Sequence, residues 1–136
     1  MSKNLQKGLA SLIVLASLAS PALAVAEETP TPLSIPELIS KLALEANLSQ
    51  RDVAVFKKIA SCESGMRQFD ENGKLLRGLV DDRDIGIMQI NTFYHGARAK
   101  ELGLSLYNSE DNIRFGVMLY KDGPEKFWSA SEHCWG

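Results

Sequence analysis

Residues 61–65 read Ser61-Cys62-Glu63-Ser64-Gly65, and residues 84–91 read Asp84-Ile85-Gly86-Ile87-Met88-Gln89-Ile90-Asn91. Upstream of the first stretch, Val53, Phe56, Lys57, Ile59, Ala60 and Glu63 recur at three- and four-residue spacing, the period of an amphipathic helix. Ser49 with Asp52 three residues on has the layout of a capping box with Asp in place of Glu, so this helix opens at Ser49. It stops at Gly65 and carries Glu63 in its last turn. The second stretch has no helical period: Ile87, Met88 and Ile90 can anchor it in a core, while Gln89 and Asn91 add amides. A helix, a polar interval and a glycine-led irregular segment, with helical patterns on either side, set the class as α+β, mainly α.

The polar interval, residues 66–83, contains Asp70-Glu71-Asn72-Gly73, a turn signal flanked by residues 67–69 and 74–80, which predicts a small β-hairpin. Its carboxylates lack the alternating spacing and closing bidentate glutamate of a calcium loop. Asp81, Asp82 and Asp84 read as turn caps, with Arg83 to offset their charge. Downstream, a helix is predicted over residues 92–102, N-capped by Asn91 and ended by Gly103. Another begins near Ser109, with Glu110 and Asp111 placed in its first turn to complement the dipole. Ile113, Val117, Leu119 and Tyr120 are its apolar residues, Gly123-Pro124 stops it, and a short last helix is expected from Pro124 to about Ser129.

At the other end, Lys3 and Lys7 precede an apolar run over residues 9–18. Pro21 follows, and Ala22-Leu23-Ala24 and Ala24-Val25-Ala26 both fit the small-x-small cleavage rule. Residues 1–26 therefore read as a secretory signal, with an uncleaved anchor as the alternative. No cysteine sits near the cleavage site to carry a lipid. Residues 27–47 combine a Pro- and Thr-containing linker with a short helix, N-capped by Ser34, that Leu38, Ile39, Leu42 and Ala43 make amphipathic. Residues 48–136 then form one small domain. The chain is expected to be exported, to the periplasm or the extracellular cell-wall space. With 15 basic and 17 acidic residues it has no nucleic-acid footprint.

Glu63 is the residue with chemistry to do. A carboxylate at the negative end of a helix dipole holds its proton more tightly, and apolar neighbours add desolvation, which together suit a general acid working near neutral pH. The bland alternative is an exposed glutamate in a frayed turn. The Gln89 amide suits the hydroxyl and N-acetyl groups of a sugar, or else satisfies buried backbone, and Asn91 is equally an N-cap. Trp128 and Trp135 are readable as stacking platforms or as core. Cys62 and Cys134, an even count in an exported chain, read as a disulfide closing a loop of about 70 residues, worth about 4 kcal/mol on the chain-entropy model. A zinc site made from them with His95 and His133 lacks paired short ligand spacing, so neither a metal nor a cofactor is expected.

Cys62-Glu63-Ser64-Gly65, the segment 84–91, the Asn112-Ile113 pair and the Tyr120 region together resemble the soluble lytic transglycosylase family of the lysozyme-like superfamily. The nearest likeness is to its small secreted members that accompany secretion and conjugation machinery, and it covers roughly residues 48–135. The Glu-Ser pair alone is a weak signal; joined to Gly-x-Met-Gln-Ile-Asn about 20 residues downstream it is specific. The resemblance implies a lysozyme-like fold with Glu63 as catalytic acid and then base. It implies that Ser64 supports the glutamate's local structure, that Gln89 and Met88 line the cleft with Asn91 beside them, and that Tyr120 matches a family tyrosine near the end of a later helix. Residues 66–83 depart from the family pattern, lacking the aromatic or Asn-Pro cluster many members carry after the glutamate, which bears on the substrate subsites.

The reaction so implied is cleavage between N-acetylmuramic acid and N-acetylglucosamine. Glu63 protonates the bridging oxygen, the substrate's N-acetyl group stabilises an oxocarbenium-like centre, and Glu63 then takes the proton of the 6-hydroxyl to leave a 1,6-anhydro sugar. The implied partners are peptidoglycan glycan strands and a secretion or conjugation apparatus, met by a monomer. Asp84 keeps a hydrolytic alternative open, because animal-type lysozymes place a second carboxylate there and hydrolysis usually needs one. A turn role for Asp84 stands beside it. In a different class, a non-catalytic peptidoglycan-binding or secretion-apparatus protein remains the alternative.

Overall fold

The computed structural model describes residues 31–136. The predicted signal peptide and the start of the linker lie outside the described residues. Helix α1 (Ile35–Glu45) opens where Ser34 predicts, the Ser34 N–H donating to Glu37 Oε2 at 2.8 Å, and it buries Ile39, Leu42 and Ala43. Helix α2 (Gln50–Ser64) is capped by Ser49, whose Oγ accepts from the Asp52 N–H at 3.1 Å. It ends in left-handed Gly65, as the sequence requires.

The hairpin is displaced from its predicted place. Around the Asp70 turn, where Asp70 Oδ1 accepts from the N–H groups of Asn72 and Lys74, the two predicted flanks pair through one antiparallel bridge, Phe69 with Leu75, and Arg77 of the second flank bridges to Ile85 instead. The two-stranded ladder forms instead within residues 84–91: β1 (Asp84–Ile85) pairs antiparallel with β2 (Ile90–Asn91), Asp84 opposite Asn91 and Ile85 opposite Ile90. The reason is burial. Leu79 and Val80 are fully exposed, so the outer segment has little to bury, whereas Ile85 and Ile90 are both in the core. Gly86, between the two strands, has φ +72°, and a Cβ there would collide with the Gln68 amide.

Helices α3 (Thr92–Glu101) and α4 (Ser109–Asp122) follow where the caps Asn91 and Asn108 place them. The expected last helix forms as α5 (Pro124–Phe127), two residues short of its predicted end, and a 3-10 turn at Ser129–Ser131 and a further helix, α6 (Glu132–Trp135), follow. Trp128 ends α5, its indole buried and donating to the Met88 carbonyl at 2.9 Å.

The chain is thus mainly helical with a small antiparallel sheet, an α+β architecture. Its core gathers Phe56 and Ile59 of α2, Ile85, Ile87 and Met88 of the hairpin, and Ile113 and Phe115 of α4. Gly116 admits this packing, since a Cβ there would meet Met88 Cγ at 2.7 Å. Cys62 and Cys134 form the expected disulfide, joining α2 to α6 across 72 residues. It uses both thiols that a zinc site would have needed.

Candidate active site

Glu63 sits in the last turn of α2, half-buried, and α6 comes to it from the other end of the chain. Ser131 Oγ donates to Glu63 Oε1 and itself accepts from the Trp135 indole N–H at 3.1 Å. The disulfide at Cys62, one residue before the glutamate, holds α6 in place. Burial raises the proton affinity of Glu63 above the ordinary carboxylate value; the Ser131 hydrogen bond opposes that shift, and the charge of Asp84 adds to it.

The hairpin is fixed by side chains from four directions, because its tight turn leaves backbone groups that no strand can satisfy. Ser64 Oγ donates to the Ile87 carbonyl at 2.7 Å, and Gln68 Oε1 accepts from the Ile87 N–H at 3.1 Å. Asn112, fully buried on α4, accepts from the Met88 N–H at 2.9 Å and donates to the carbonyls of Ile85 and Leu106 at 3.0 Å. Trp128 completes the set at the Met88 carbonyl. Among the described residues no buried side-chain polar atom is left without a partner. Gln89, at φ +47°, turns outward from this frame, its Nε2 donating to the Gly86 carbonyl at 2.9 Å.

Between the end of α2, the hairpin, α3 and α5 lies a cavity of about 480 Å³ lined by Glu63, Asp84, Gln89, Tyr94, His95 and Trp128, among others. On the other side of Glu63 and Gln89, which line both, a hollow of about 350 Å³ continues past Arg67, Leu76 and Arg77. A carboxyl at the waist of a two-armed cleft can deliver a proton to a bond lying across it.

No protein-family model, curated protein or solved structure matches the chain. The site therefore rests on its own geometry.

Of the residues singled out from sequence, Glu63, Asp84, Gln89 and Asn91 come together on the cleft. Asn91 also caps α3 and donates from Nδ2 to Asp84 Oδ1 at 2.7 Å, which holds the second carboxylate in place. Met88 does not line the cleft: its side chain is fully buried against Gly116, and only its backbone serves the hairpin. Tyr120 is also elsewhere, its hydroxyl donating to Asp52 Oδ1 at 3.1 Å near the start of α2 and its ring packing edge-on to Phe56. Ser64, expected to support the glutamate and to stand with the substrate-binding residues, is buried and instead braces the hairpin at the Ile87 carbonyl.

Three participants have roles that the sequence reading does not assign, although the Asn112-Ile113 pair belongs to the motifs that carry the resemblance. Ser131 offers no signal, lying 68 residues from its partner. Asn112 does: an amide beside Ile113 on the apolar face of a helix must bond to something buried. His95 was weighed only as a metal ligand. It forms part of the cleft wall between the rings of Phe115 and Phe127, and burial, with the Arg98 charge, lowers its proton affinity and favours the neutral imidazole.

Proposed function

We propose that the protein is a lytic transglycosylase of the lysozyme-like superfamily that cleaves the β-1,4 bond between N-acetylmuramic acid and N-acetylglucosamine in peptidoglycan, with Glu63 as general acid and then base. The observation that carries this reading is the half-buried Glu63 carboxyl at the waist of the cleft, its proton affinity raised and Gln89 beside it. Protonated Glu63 gives its proton to the bridging oxygen, the bond to the muramyl anomeric carbon breaks, and the substrate's N-acetyl group supports the cation. The 6-hydroxyl oxygen then bonds to that carbon and returns its proton to Glu63. Ser131, donating to the carboxylate, stabilises the form Glu63 adopts between the two transfers.

Hydrolysis is the second reading, and one observation favours it: Asp84 lies close enough to raise the proton affinity of Glu63 and faces the same cleft. A carboxylate so placed can support the cation or activate water. The disulfide supports export to an oxidising compartment, in keeping with the signal read over residues 1–26. Peptidoglycan strands are the proposed partner, engaged by a monomer, and service to a secretion or conjugation apparatus belongs to the same proposal. The test is mass spectrometry of fragments released from peptidoglycan by the protein and by Glu63→Gln. Fragments ending in 1,6-anhydro muramic acid, absent with the variant, are expected. Reducing ends would move the assignment to a lysozyme using Asp84, and no release by the unmodified protein would leave a binding or accessory role.

A further inference from the structure

The arm of the cleft beyond Glu63 is lined by two arginines, Arg67 and Arg77, over the apolar side chains of Leu76 and Leu79. Each guanidinium is steadied by a neutral backbone carbonyl and not by an acid. Arg67 Nε donates to the Ser64 carbonyl at 3.1 Å, and Arg77 Nη1 donates to the Asp82 carbonyl at 2.7 Å. Neither takes part in an ion pair among the described residues, whose four pairs use Arg83, Arg98 and Arg114. Of the nearby acids, Asp81 is engaged by Arg83, Asp84 by Asn91 and Glu63 by Ser131, while Asp82 meets Arg77 through its backbone carbonyl and not through its carboxylate. Each guanidinium has five N–H donors in a rigid fork, so one bond to a carbonyl orients the head and leaves both its charge and most of its donors open.

We propose that this arm is a carboxylate-binding subsite, in which Arg67 and Arg77 hold an anionic substituent of the muramyl residue next to the scissile bond. The proposal rests on the peptidoglycan reading of Glu63 and deepens it. Two fixed forks facing one hollow suit the planar, bidentate geometry of a carboxylate, and a polymer of N-acetylglucosamine alone offers no such group. Muramyl glycan offers one from either of two sources: the stem peptide, or the lactyl ether once the stem has been removed. Arg67 and Arg77 are therefore specificity residues that distinguish wall glycan from neutral chitin-type chains.

The experiment is calorimetric binding by Glu63→Gln, which keeps the cleft but cannot cleave, to three probes of equal length: stem-bearing muramyl glycan, the same glycan stripped of stems by an amidase, and a chitin oligosaccharide. One acidic glycan should bind about tenfold or more tighter than chitin, the scale of one charge-assisted contact. Arg67→Gln with Arg77→Gln should remove that preference and leave the chitin affinity unchanged. Arg77→Gln alone should reduce it, and Arg77→Lys should restore part of it. Arg77 bridges to Ile85 through its backbone and is exposed, away from the α2 cap, so its single side-chain variants separate the subsite from any folding defect. Preference for the stem-bearing glycan assigns the stem carboxylate, and preference for the stripped glycan assigns the lactyl carboxylate. Equal affinity for all three probes, or a preference that survives in the double variant, overturns the subsite, as does binding to none. Cleavage by the unmodified protein then tells whether the Glu63 reading has fallen with it.

Discussion

At the residue scale, what sets Glu63 apart is its pair of opposed neighbours, a hydroxyl that favours its charged form and a desolvating wall that disfavours it. Ser131→Ala removes the first, so the proton affinity of Glu63 should rise further and the alkaline limb of the pH–rate profile should move to higher pH. A profile unchanged on that limb would show that the hydroxyl does not touch the working acid. Glu63 also links to stability. Its proton affinity is higher folded than unfolded, so its contribution is fully present below the ordinary carboxylate range and is lost as pH rises through the raised value. Glu63→Gln should therefore raise the melting temperature at neutral pH while abolishing cleavage, and the gap should close as pH falls below that range, which thermal melts along a pH series would check. The glutamate's place at a helix end was legible from spacing alone. The source of its perturbation was only half legible: desolvation by its surroundings was anticipated alongside the dipole, but the bond from a serine 68 positions away was not.

At the element scale, the hairpin behaves as a rigid shelf because its backbone is held by side chains from its neighbours. Asn112→Ala removes three bonds from a fully buried position, leaving the Met88 N–H without its partner. It should cost about 3 kcal/mol or more in denaturant unfolding, and activity should fall with it because Gln89 and Asp84 ride on the shelf. Asn112→Asp should be worse at neutral pH, where a buried charge would face two carbonyls, and should recover partly in acid. Met88→Leu, by contrast, should cost less than about 1.5 kcal/mol and leave cleavage intact, because that side chain fills the core and does not meet the cleft. The helices were legible here because their caps and periods are local. The ladder was not: the Asp70 turn signal is real, but which segment pairs depends on which side chains find burial, and that is decided by α2 and α4.

At the scale of the whole molecule, the first and last parts of the domain meet at the disulfide, and the site is built where they meet. Replacing Cys62 and Cys134 with serine should lower stability by about 4 kcal/mol on the chain-entropy model, as read from denaturant midpoints. It should also loosen α6, so that the alkaline limb of the pH–rate profile moves in the same direction as in Ser131→Ala. Cysteine parity made the bond itself legible, whereas its delivery of Ser131 to Glu63 is a property of the closed fold. Trp128 and Trp135 are the two tryptophans of the chain, and both belong to this closure. Trp128 lines the cleft, and Trp135 donates to both Ser131 Oγ and the Trp128 carbonyl. Under selective excitation of indole, every emitted photon then originates within two hydrogen bonds of the Glu63 carboxyl or on the cleft wall itself. The protein carries its own label-free optical reporter: titration of Glu63, opening of the disulfide or arrival of a glycan should each register as a change in its intrinsic fluorescence.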